Sequence, residues 1–454
     1  MRVAVIGSGP AGIYASDILT KTGEDVSIDI YEKMPAPFGL IRYGVAPDHP
    51  RIKGIIASLH AVMDKPEIHL IGNVDIGNDV TVEELKDYYD AIIFATGAVG
   101  DRDMGIPGED LPESYGAGAF VGFYDGNPDF TRTWNLTARE IAVIGVGNVA
   151  LDISRVLAKT ADELHVTEIP DNVYDELNKS AATTIHVFGR RGPAQAKFSP
   201  LELKELSYSP NVRVVVDPED IDYDAASEEA RRGSKTVDLV AQTIEEYALA
   251  EPKDAIHTIH LHFFEAPVAI NADADGHVES ITMARQEFDG TGGVKPTGET
   301  RTYPVQAVYR AVGYRSDAVN GVPFDEVKAV IPNDGGHVLT APDGEIIPGL
   351  YATGWIKRGP VGLIGNTKSD AKQTIGMLVE DHAAGKLPAP AHPNREDVLT
   401  MLTTRGIDYT DWEGWHNLDA AEKAAGEAEG RERKKIVEWD EMVAASHGKA
   451  LQGK

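Results

Sequence analysis

The residues best suited to chemistry begin a few positions into the chain. Gly7, Gly9 and Gly12 follow the spacing G-x-G-x-x-G, and Glu32 stands about 20 residues beyond the last of them. In this pattern the first glycine allows a tight turn, the second lets a pyrophosphate approach the backbone, and the third lets helix and strand pack closely. A carboxylate at that distance accepts hydrogen bonds from ribose hydroxyls. The set predicts a site for FAD or NAD and disfavours the 2′-phosphate of NADP.

A second glycine-rich run has the opposite charge beside it. Gly145, Gly147 and Ala150 repeat the spacing with alanine in the third place, which the dinucleotide fingerprint allows. After the next predicted strand come Arg190 and Arg191, whose paired guanidiniums match a phosphate in charge and in fork geometry. The simplest interpretation is recognition of the NADP 2′-phosphate, and the alternative is a solvated arginine pair. Two sites of opposite preference imply a hydride donor and a flavin acceptor.

Alternating strands and helices must position these residues. Apolar runs predict strands over 2–6, 26–31, 91–94, 141–144 and 184–188, and helices over 13–22 and 151–159. This alternation predicts an α/β fold with two Rossmann-like dinucleotide-binding domains. Residues 212–310 are predicted to alternate strands with polar turns, and residues 422–435 to form a solvated helix or hinge.

Composition excludes several function classes. The 454 residues carry a formal net charge of −29, which repels nucleic-acid phosphates and anionic lipid headgroups, so neither is an expected partner. The chain has no cysteine, which excludes thiolate catalysis, a redox disulfide and all-cysteine iron–sulfur ligation. No apolar run predicts membrane insertion, and the strand pattern that starts at Val3 leaves no room for a leader, so a cytoplasmic protein is expected. No metal site is predicted.

Three segments resemble the adrenodoxin-reductase-type ferredoxin–NADP⁺ reductases, including their actinobacterial forms. They are GLIRYGVAPDHP at 39–50, GVGNVALD at 145–152 with GRRGP at 189–193, and GWIKRGPVGLIG at 354–365, of which the last is the most specific. The resemblance spans nearly the whole chain. It implies the two-domain plan of glutathione-reductase-like flavoproteins, in which an NADP domain (105–317) is inserted into a discontinuous FAD domain (1–104 and 318–454). The implied activity is reduction of FAD by NADPH, followed by one-electron transfers to an iron–sulfur ferredoxin that supplies cytochrome P450 or other enzymes.

The resemblance also implies individual site residues. FAD contacts are expected at Gly7, Gly9, Ala11, Gly12, Glu32, Leu40, Val74, Trp355, Gly362, Leu363 and Ile364. NADP contacts are expected at Arg102, Val146, Gly147, Asn148, Val149, Arg190, Arg191, Glu202 and Gly362. His49 and Glu205 resemble the family's candidate proton-handling pair.

These last assignments have simpler alternatives. Glu202 and Glu205 are three residues apart and share a face if their segment is helical, but without the resemblance they would be read as a solvated acidic face. His49 could instead only pack the proline-rich turn around it. Lys197 and Pro200 depart from the family pattern, which leaves the start of the glutamate-bearing helix open.

Rival functions share part of this pattern. A pyridine-nucleotide disulfide reductase has the same two-unit plan but needs a redox cysteine pair. A flavin-dependent monooxygenase and a non-catalytic FAD/NADP-binding scaffold stay open as alternatives. The basic cluster of Arg231, Arg232 and Lys235 is expected either to meet an acidic ferredoxin or to be a turn with solvated charges. The oligomeric state is not predicted.

Overall fold

A computed structural model gives the fold and describes residues 1–49, 54–251, 253–361 and 364–449. The chain divides into two compact units. The first unit consists of Met1–Gly100, Asp125–Asp129 and Tyr314–Lys454, and the second of Asp101–Tyr124 and Phe130–Gly313. Both ends of the chain therefore build the first unit, and the second is an insertion between them.

Eighteen strands are present in the described part of the chain. They are β1 (Arg2–Ile6), β2 (Ser27–Glu32), β3 (Ile68–Gly72), β4 (Ala91–Phe94), β5 (Gly100–Asp101), β6 (Ser114–Gly116), β7 (Glu140–Ile144), β8 (Thr184–Phe188), β9 (Val212–Val216), β10 (His257–His262), β11 (Glu265–Ala272), β12 (Val278–Phe288), β13 (Val294–Pro304), β14 (Ala307–Arg310), β15 (Tyr314–Arg315), β16 (Asn333–Asp334), β17 (His337–Leu339) and β18 (Ile346–Ala352).

Sixteen α-helices accompany these strands over the same residues. They are α1 (Pro10–Thr20), α2 (Leu40–Tyr43), α3 (Ile55–Met63), α4 (Val82–Leu85), α5 (Ala117–Tyr124), α6 (Asn148–Ala158), α7 (Ala161–His165), α8 (Asp171–Leu177), α9 (Pro200–Glu205), α10 (Ala225–Gly233), α11 (Lys235–Leu249), α12 (Trp355–Arg358), α13 (Ile364–Ala383), α14 (Arg395–Thr404), α15 (Trp412–Ala428) and α16 (Trp439–Ser446). None of them, within the described segments, combines the length and apolar character that a bilayer crossing requires.

The first unit contains a seven-stranded sheet in the order β16-β17-β18-β4-β1-β2-β3. The strands from β18 to β3 are parallel, and β16 and β17 add an antiparallel edge. Successive side chains of β1 enter opposite hydrophobic clusters: Val3 and Val5 lie in one, and Ala4 and Ile6 in the other. Burial on both faces explains why this strand is apolar at consecutive positions.

The second unit contains a six-stranded, all-parallel sheet in the order β6-β14-β7-β8-β10-β9. A separate antiparallel sheet, β11-β12-β13, accompanies it, and Ile281 and Met283 of β12 share a buried cluster with Ala142 and Ile144 of β7. In both large sheets the order of strands reverses beside the strand that leads into a glycine-rich run. Ligands of open α/β sheets bind at such points.

Most of the predicted strands and helices are confirmed, with one exception in the second unit. Residues 225–249 form α10 and α11 rather than strands and turns. Val240, Ala241 and Ile244 of α11 are buried on one face, at helical rather than alternating spacing. The prediction of strands across this stretch was therefore wrong.

The prediction of a solvated segment over 422–435 was wrong for three of its charged residues, because Glu422, Arg431 and Lys435 are buried while 427–430 are exposed. Glu422 is fully buried, and its carboxylate accepts from Arg42 at 3.0 and 2.5 Å and from Arg433 at 3.0 Å. The ammonium group of Lys435 is buried as well, and it donates to the carbonyl oxygens of Arg42 and Asp125. Part of the high charge of this segment is therefore paired inside the first unit.

Glu422→Gln is expected to lower the free energy of unfolding by about 3–5 kcal/mol, because it leaves the buried Arg42 guanidinium without its counter-charge. Urea or thermal unfolding measures the effect. Glu427→Gln, at an exposed position of the same helix, is the matched control and should change stability by less than about 0.5 kcal/mol. Equal effects of the two substitutions would contradict a role for the buried pair in stability.

Candidate cofactor sites

The first glycine-rich run is held by a close approach of backbone atoms. Gly7 has φ +110°, and a Cβ at this position would lie 2.5 Å from the carbonyl oxygen of Ala95, which follows β4. A Cβ at Gly12 would overlap the carbonyl oxygen of Gly7. Both positions therefore require glycine for the strand, the turn and α1 to pack together.

The second glycine of the run has room beside it. A Cβ at Gly9 would meet nothing within 4 Å, and α1 starts at Pro10 without a side-chain cap. Gly39 and Gly354, from two other loops, lie close to this run. A Cβ on Gly39 would lie 3.3 Å from the Cα of Gly9, and a Cβ on Gly354 would lie 2.6 Å from the Cβ of Ala11. The first-turn N–H groups of a helix lack intrahelical partners. This open, glycine-lined helix start fits a diphosphate.

Glu32 ends β2 beside this turn. Its carboxylate accepts from the Ser8 backbone N–H at 3.1 Å, from the Ser8 hydroxyl at 2.6 Å and from the Met34 N–H at 3.1 Å. Burial raises the pKa of Glu32, and the hydrogen bonds from Ser8 and Met34 oppose that rise. Val74 is buried next to it, and its N–H donates to the Glu32 carbonyl oxygen at 3.0 Å. The carboxylate is thus fixed in position by the fingerprint loop itself.

The remaining predicted FAD contacts lie at the starts of short helices. Leu40 begins α2 and is half-buried, and Trp355 begins α12 with its ring stacked on Tyr314 at 6.0 Å between centroids. His49, which is predicted for proton handling and not for FAD contact, is buried, and its backbone N–H donates to the carbonyl oxygen of Ala46 at 3.1 Å. All of them belong to the first unit.

Two predicted contacts, Gly362 and Leu363, lie outside the described residues. Ile364 begins α13, so the backbone there is helical. The sequence patterns do not single out Ser8, and they include Gly39 and Gly354 only as the first residues of two segments that resemble the family. The one signal that could have indicated a role for Ser8 at this site is its hydroxyl, at the second position of the run.

The second run repeats the geometry of the first. Gly145 has φ +135°, and a Cβ there would overlap the carbonyl oxygen of Ala311, which follows β14. A Cβ at Gly147 would meet nothing within 4 Å, and α6 begins at the next residue without a side-chain cap. This unit therefore offers a second open helix start, which also fits a diphosphate.

A neighbouring loop fixes the second run in place. The Lys197 N–H donates to the carbonyl oxygen of Val146 at 2.8 Å, and the Asn148 side-chain oxygen accepts from the Ser199 N–H at 2.8 Å. Asn148 and Val149 are the first two residues of α6. The predicted contacts Val146, Asn148 and Val149 thus lie together at the helix start.

Arg190 and Arg191 follow β8 at the carboxyl edge of the same sheet. Arg190 is exposed and Arg191 half-exposed, and across residues 1–49, 54–251, 253–361 and 364–449 neither guanidinium makes an ion pair or a side-chain hydrogen bond. Arg102 is also exposed, and its N–H donates to the carbonyl oxygen of Gly313 at 3.1 Å. Two uncompensated guanidiniums beside a dinucleotide fingerprint suit an additional phosphate.

The segment with the two glutamates is helical, as the resemblance requires. Pro200 occupies the first helical position of α9, where its missing N–H costs no hydrogen bond. The departure at that position therefore begins the helix and does not break it. Glu202 is buried and Glu205 is half-buried on adjacent turns of this helix, in the second unit, whereas His49 belongs to the first.

The expected basic cluster is only partly available to a partner. Arg231 donates to Asp238 at 3.0 Å and to Glu245 at 2.8 Å, and it lies over the ring of Tyr223. Neither expectation, a contact with an acidic ferredoxin or a solvated charge, suits Arg231, because α11 supplies its counter-charges. Arg232 and Lys235 are exposed.

Two units, each with a dinucleotide fingerprint at a sheet switch point, define a pyridine-nucleotide-dependent flavoprotein oxidoreductase. Residues 1–188 match the family model described as "Pyridine nucleotide-disulphide oxidoreductase". The chain is 38% identical over 460 residues to the NADPH-ferredoxin reductase FprA of Mycobacterium tuberculosis, covering 98% of this chain and 99% of that protein. It is 36% identical over 454 residues to the mitochondrial NADPH:adrenodoxin oxidoreductase of Bos taurus, with 97% and 91% covered.

The structural comparison agrees. The structure of Mycobacterium tuberculosis FprA in complex with NADPH matches with a TM-score of 0.91 at 37% identity, covering 98% of this chain and 99% of that one. The chain belongs to the family of NADPH–ferredoxin and NADPH:adrenodoxin reductases. The resemblance found in the sequence is confirmed, and the absence of cysteine separates this chain from the disulfide-reducing branch.

Gly147→Ala is expected to raise the KM for NADPH at least about tenfold, because the new methyl group would occupy the space through which a pyrophosphate approaches the backbone. Stability should change by less than about 1 kcal/mol, since φ is −116° and the space is open. Steady-state kinetics and urea unfolding measure the two effects.

Gly145→Ala is the contrasting variant at the same turn. It should destabilise the protein by several kcal/mol, because φ is +135° and a Cβ overlaps the Ala311 carbonyl. If Gly147→Ala also unfolded the protein, or left the KM for NADPH unchanged, the assignment of an open pyrophosphate approach would be wrong.

Proposed function

We propose that this protein is an NADPH–ferredoxin reductase that holds FAD on the first unit and binds NADPH on the second. Electrons enter as a hydride from NADPH and leave one at a time to an iron–sulfur ferredoxin. Bound FAD would supply the conversion between two-electron and one-electron transfer, chemistry that no side chain of this cysteine-free chain can perform. The relatives named above are called NADPH-ferredoxin reductase and NADPH:adrenodoxin oxidoreductase, which supports the proposal.

The observation that carries the proposal is the opposite charge beside two equivalent turns. In the first unit Glu32 presents a carboxylate that suits ribose hydroxyls and repels a phosphate. In the second unit Arg190 and Arg191 present guanidiniums without counter-charges among the described residues. We therefore assign the adenosine ribose of FAD to Glu32 and the 2′-phosphate of NADPH to the two arginines.

Proton handling is assigned to His49 and Glu205, and binding of the nicotinamide half to Glu202. Two one-electron transfers from a reduced flavin must also release a proton, and a group that titrates near neutrality can accept it. We propose His49 as that group, with Glu205 as its partner in the proton path. Glu202 is proposed to bind the nicotinamide half of NADPH, since it is the more buried of the two glutamates.

The partner and the location follow from the same proposal. An acidic ferredoxin is the proposed acceptor, although the net charge of −29 requires it to dock on a local basic surface. A cytoplasmic location remains a prediction. The activity is tested by mixing FAD-loaded protein, NADPH and a ferredoxin, with two ferredoxins reduced per NADPH expected. A non-catalytic scaffold would consume no NADPH, and a monooxygenase would instead show an oxygen adduct of the flavin in stopped-flow spectra.

Arg190→Gln and Arg191→Gln are each expected to raise the KM for NADPH about 10- to 100-fold, because a hydrogen bond to a charged group contributes about 1.5–3 kcal/mol. The KM for NADH should stay the same, since NADH has no 2′-phosphate. Reduction of cytochrome c with either nucleotide measures both values.

The matched control for the arginine pair is Arg139→Gln. Arg139 is exposed and immediately precedes β7, so it lies at the amino edge of the same sheet, opposite the proposed phosphate site. It should leave both KM values unchanged. A parallel loss of NADPH and NADH affinity in the Arg190 and Arg191 variants would show that they support the fold rather than the phosphate.

His49→Gln is expected to flatten the pH dependence of ferredoxin reduction near neutrality, because glutamine keeps a polar side chain but cannot take up a proton. The KM for NADPH should change little. Ferredoxin reduction followed by stopped flow between pH 6 and about 8.5 measures the effect, in the range where histidines titrate. His392→Gln, an exposed histidine of the same unit, is the control. An unchanged pH profile in His49→Gln would remove the proposed role.

A further inference from the structure

Three histidines converge on one face of the parallel sheet in the second unit. His186 of β8 pairs directly across from His260 of β10, and His262 is two residues further along, on the same face. One ring nitrogen from each lies within 4.8 Å of those of the other two. Around a tetrahedral zinc ion, ligand nitrogens are about 3.4 Å apart, so small side-chain rotations would bring the three together.

The hydrogen-bond partners of the two ring nitrogens of His186 resemble those of a metal-bound histidine. Its Nδ1 lies 2.9 Å from Nε2 of His262, and its Nε2 lies 3.2 Å from Oε2 of Glu140 in the adjacent strand β7. Metal-bound histidines commonly donate their second ring N–H to a carboxylate, which fixes the tautomer and directs the other nitrogen to the metal. Glu140 is placed to orient His186 in this way.

Asp217 lies beside the histidine cluster, with a carboxylate oxygen within 4.8 Å of a ring nitrogen of His262. It directly follows β9, and its Oδ2 lies 3.2 Å from Nε2 of His260, a buried nitrogen that makes no hydrogen bond within the described residues. Asp220 is also nearby, but its carboxylate oxygens accept from the Phe263 N–H and the Arg285 guanidinium. Asp217 is therefore the carboxylate that remains available to an ion.

The surroundings orient the rings. His262 stacks on Phe188 at 4.7 Å and packs beside Tyr303 at 5.1 Å between centroids, so its inner side is apolar. The His260 side chain keeps about a fifth of its surface exposed, which leaves a path for an ion.

We propose that His186, His260 and His262 bind a divalent transition-metal ion, most suitably Zn²⁺, with Asp217 beside His260 as the carboxylate that completes the ligand set and Glu140 as a positioning residue. Three imidazoles and one carboxylate are a ligand set that Zn²⁺ accepts in tetrahedral geometry. The ion would tie β8, β10 and the segment after β9 together. It stabilises the sheet edge from which Arg190 and Arg191 extend, and it takes no part in electron transfer. The site is independent of the function proposed above.

The test uses tag-free, FAD-loaded protein freed of metal with a chelator. Titration with Zn²⁺ in a calorimeter is expected to show one bound equivalent and a rise in the thermal unfolding temperature. His260→Gln and His262→Gln should each weaken binding at least tenfold, and Glu140→Gln should weaken it by about 10- to 100-fold. Co²⁺ in place of Zn²⁺ should give the visible bands of a tetrahedral ion, at wavelengths longer than the flavin absorbs.

His277→Gln, an exposed histidine of the same unit that pairs with Glu113, is the matched control and should bind Zn²⁺ like the wild type. NADPH oxidation by each variant shows that the variant is folded. If His262→Gln does not fold, His260→Gln alone tests the site, because His260 is the more exposed of the two histidines. The proposal is overturned if the wild type binds no stoichiometric Zn²⁺, or if His260→Gln binds it as tightly as His277→Gln.

Discussion

One close approach of backbone atoms recurs in both units, and the cofactor sites depend on it. At Gly7 and at Gly145 the turn after a central strand presses against the carbonyl group that follows the neighbouring parallel strand, at Ala95 and at Ala311. Any Cβ would separate the turn from that strand, so only glycine permits the contact. The contact in turn fixes where the next helix begins, and α1 and α6 both begin without a side-chain cap, which suits the diphosphate that we propose for each helix start.

The two units then differ in how their charged side chains are held. Glu32 is half-buried and its carboxylate accepts three hydrogen bonds, so its position is fixed before any ligand arrives. Arg190 is exposed and Arg191 half-exposed, and neither guanidinium has an ion pair or a side-chain hydrogen bond among the described residues. A group already held by hydrogen bonds loses little entropy on binding, which suits the FAD that we propose stays in place. Arginine side chains without such bonds lose more entropy on binding, which suits the NADPH that we propose leaves after each turnover.

Local patterns in the sequence predicted the strands on either side of each glycine-rich run. The strands that lead into and follow each glycine-rich run were found to within about two residues, because buried parallel strands are short and apolar at every position. Helices α10 and α11 were missed, since their polar faces resemble turns and only Val240, Ala241 and Ile244 mark the buried side. The histidine cluster was not visible either, because His186 and His260 come from strands that are neighbours in space and 74 positions apart in the chain.

Segment 422–435 shows why charge along a sequence does not reveal exposure. Its many charges suggested a solvated helix, yet Glu422 is enclosed by Arg42 and Arg433, which are hundreds of residues apart in the chain. Enclosing these ions forfeits much of their hydration, so the cluster adds less net stability than its short distances suggest. It does select one arrangement, because Arg42 of α2 and Arg433 must both reach the carboxylate of Glu422 on α15. In a chain of net charge −29, where carboxylates are abundant at the surface, a buried guanidinium that donates to one buried carboxylate holds α2 against α15.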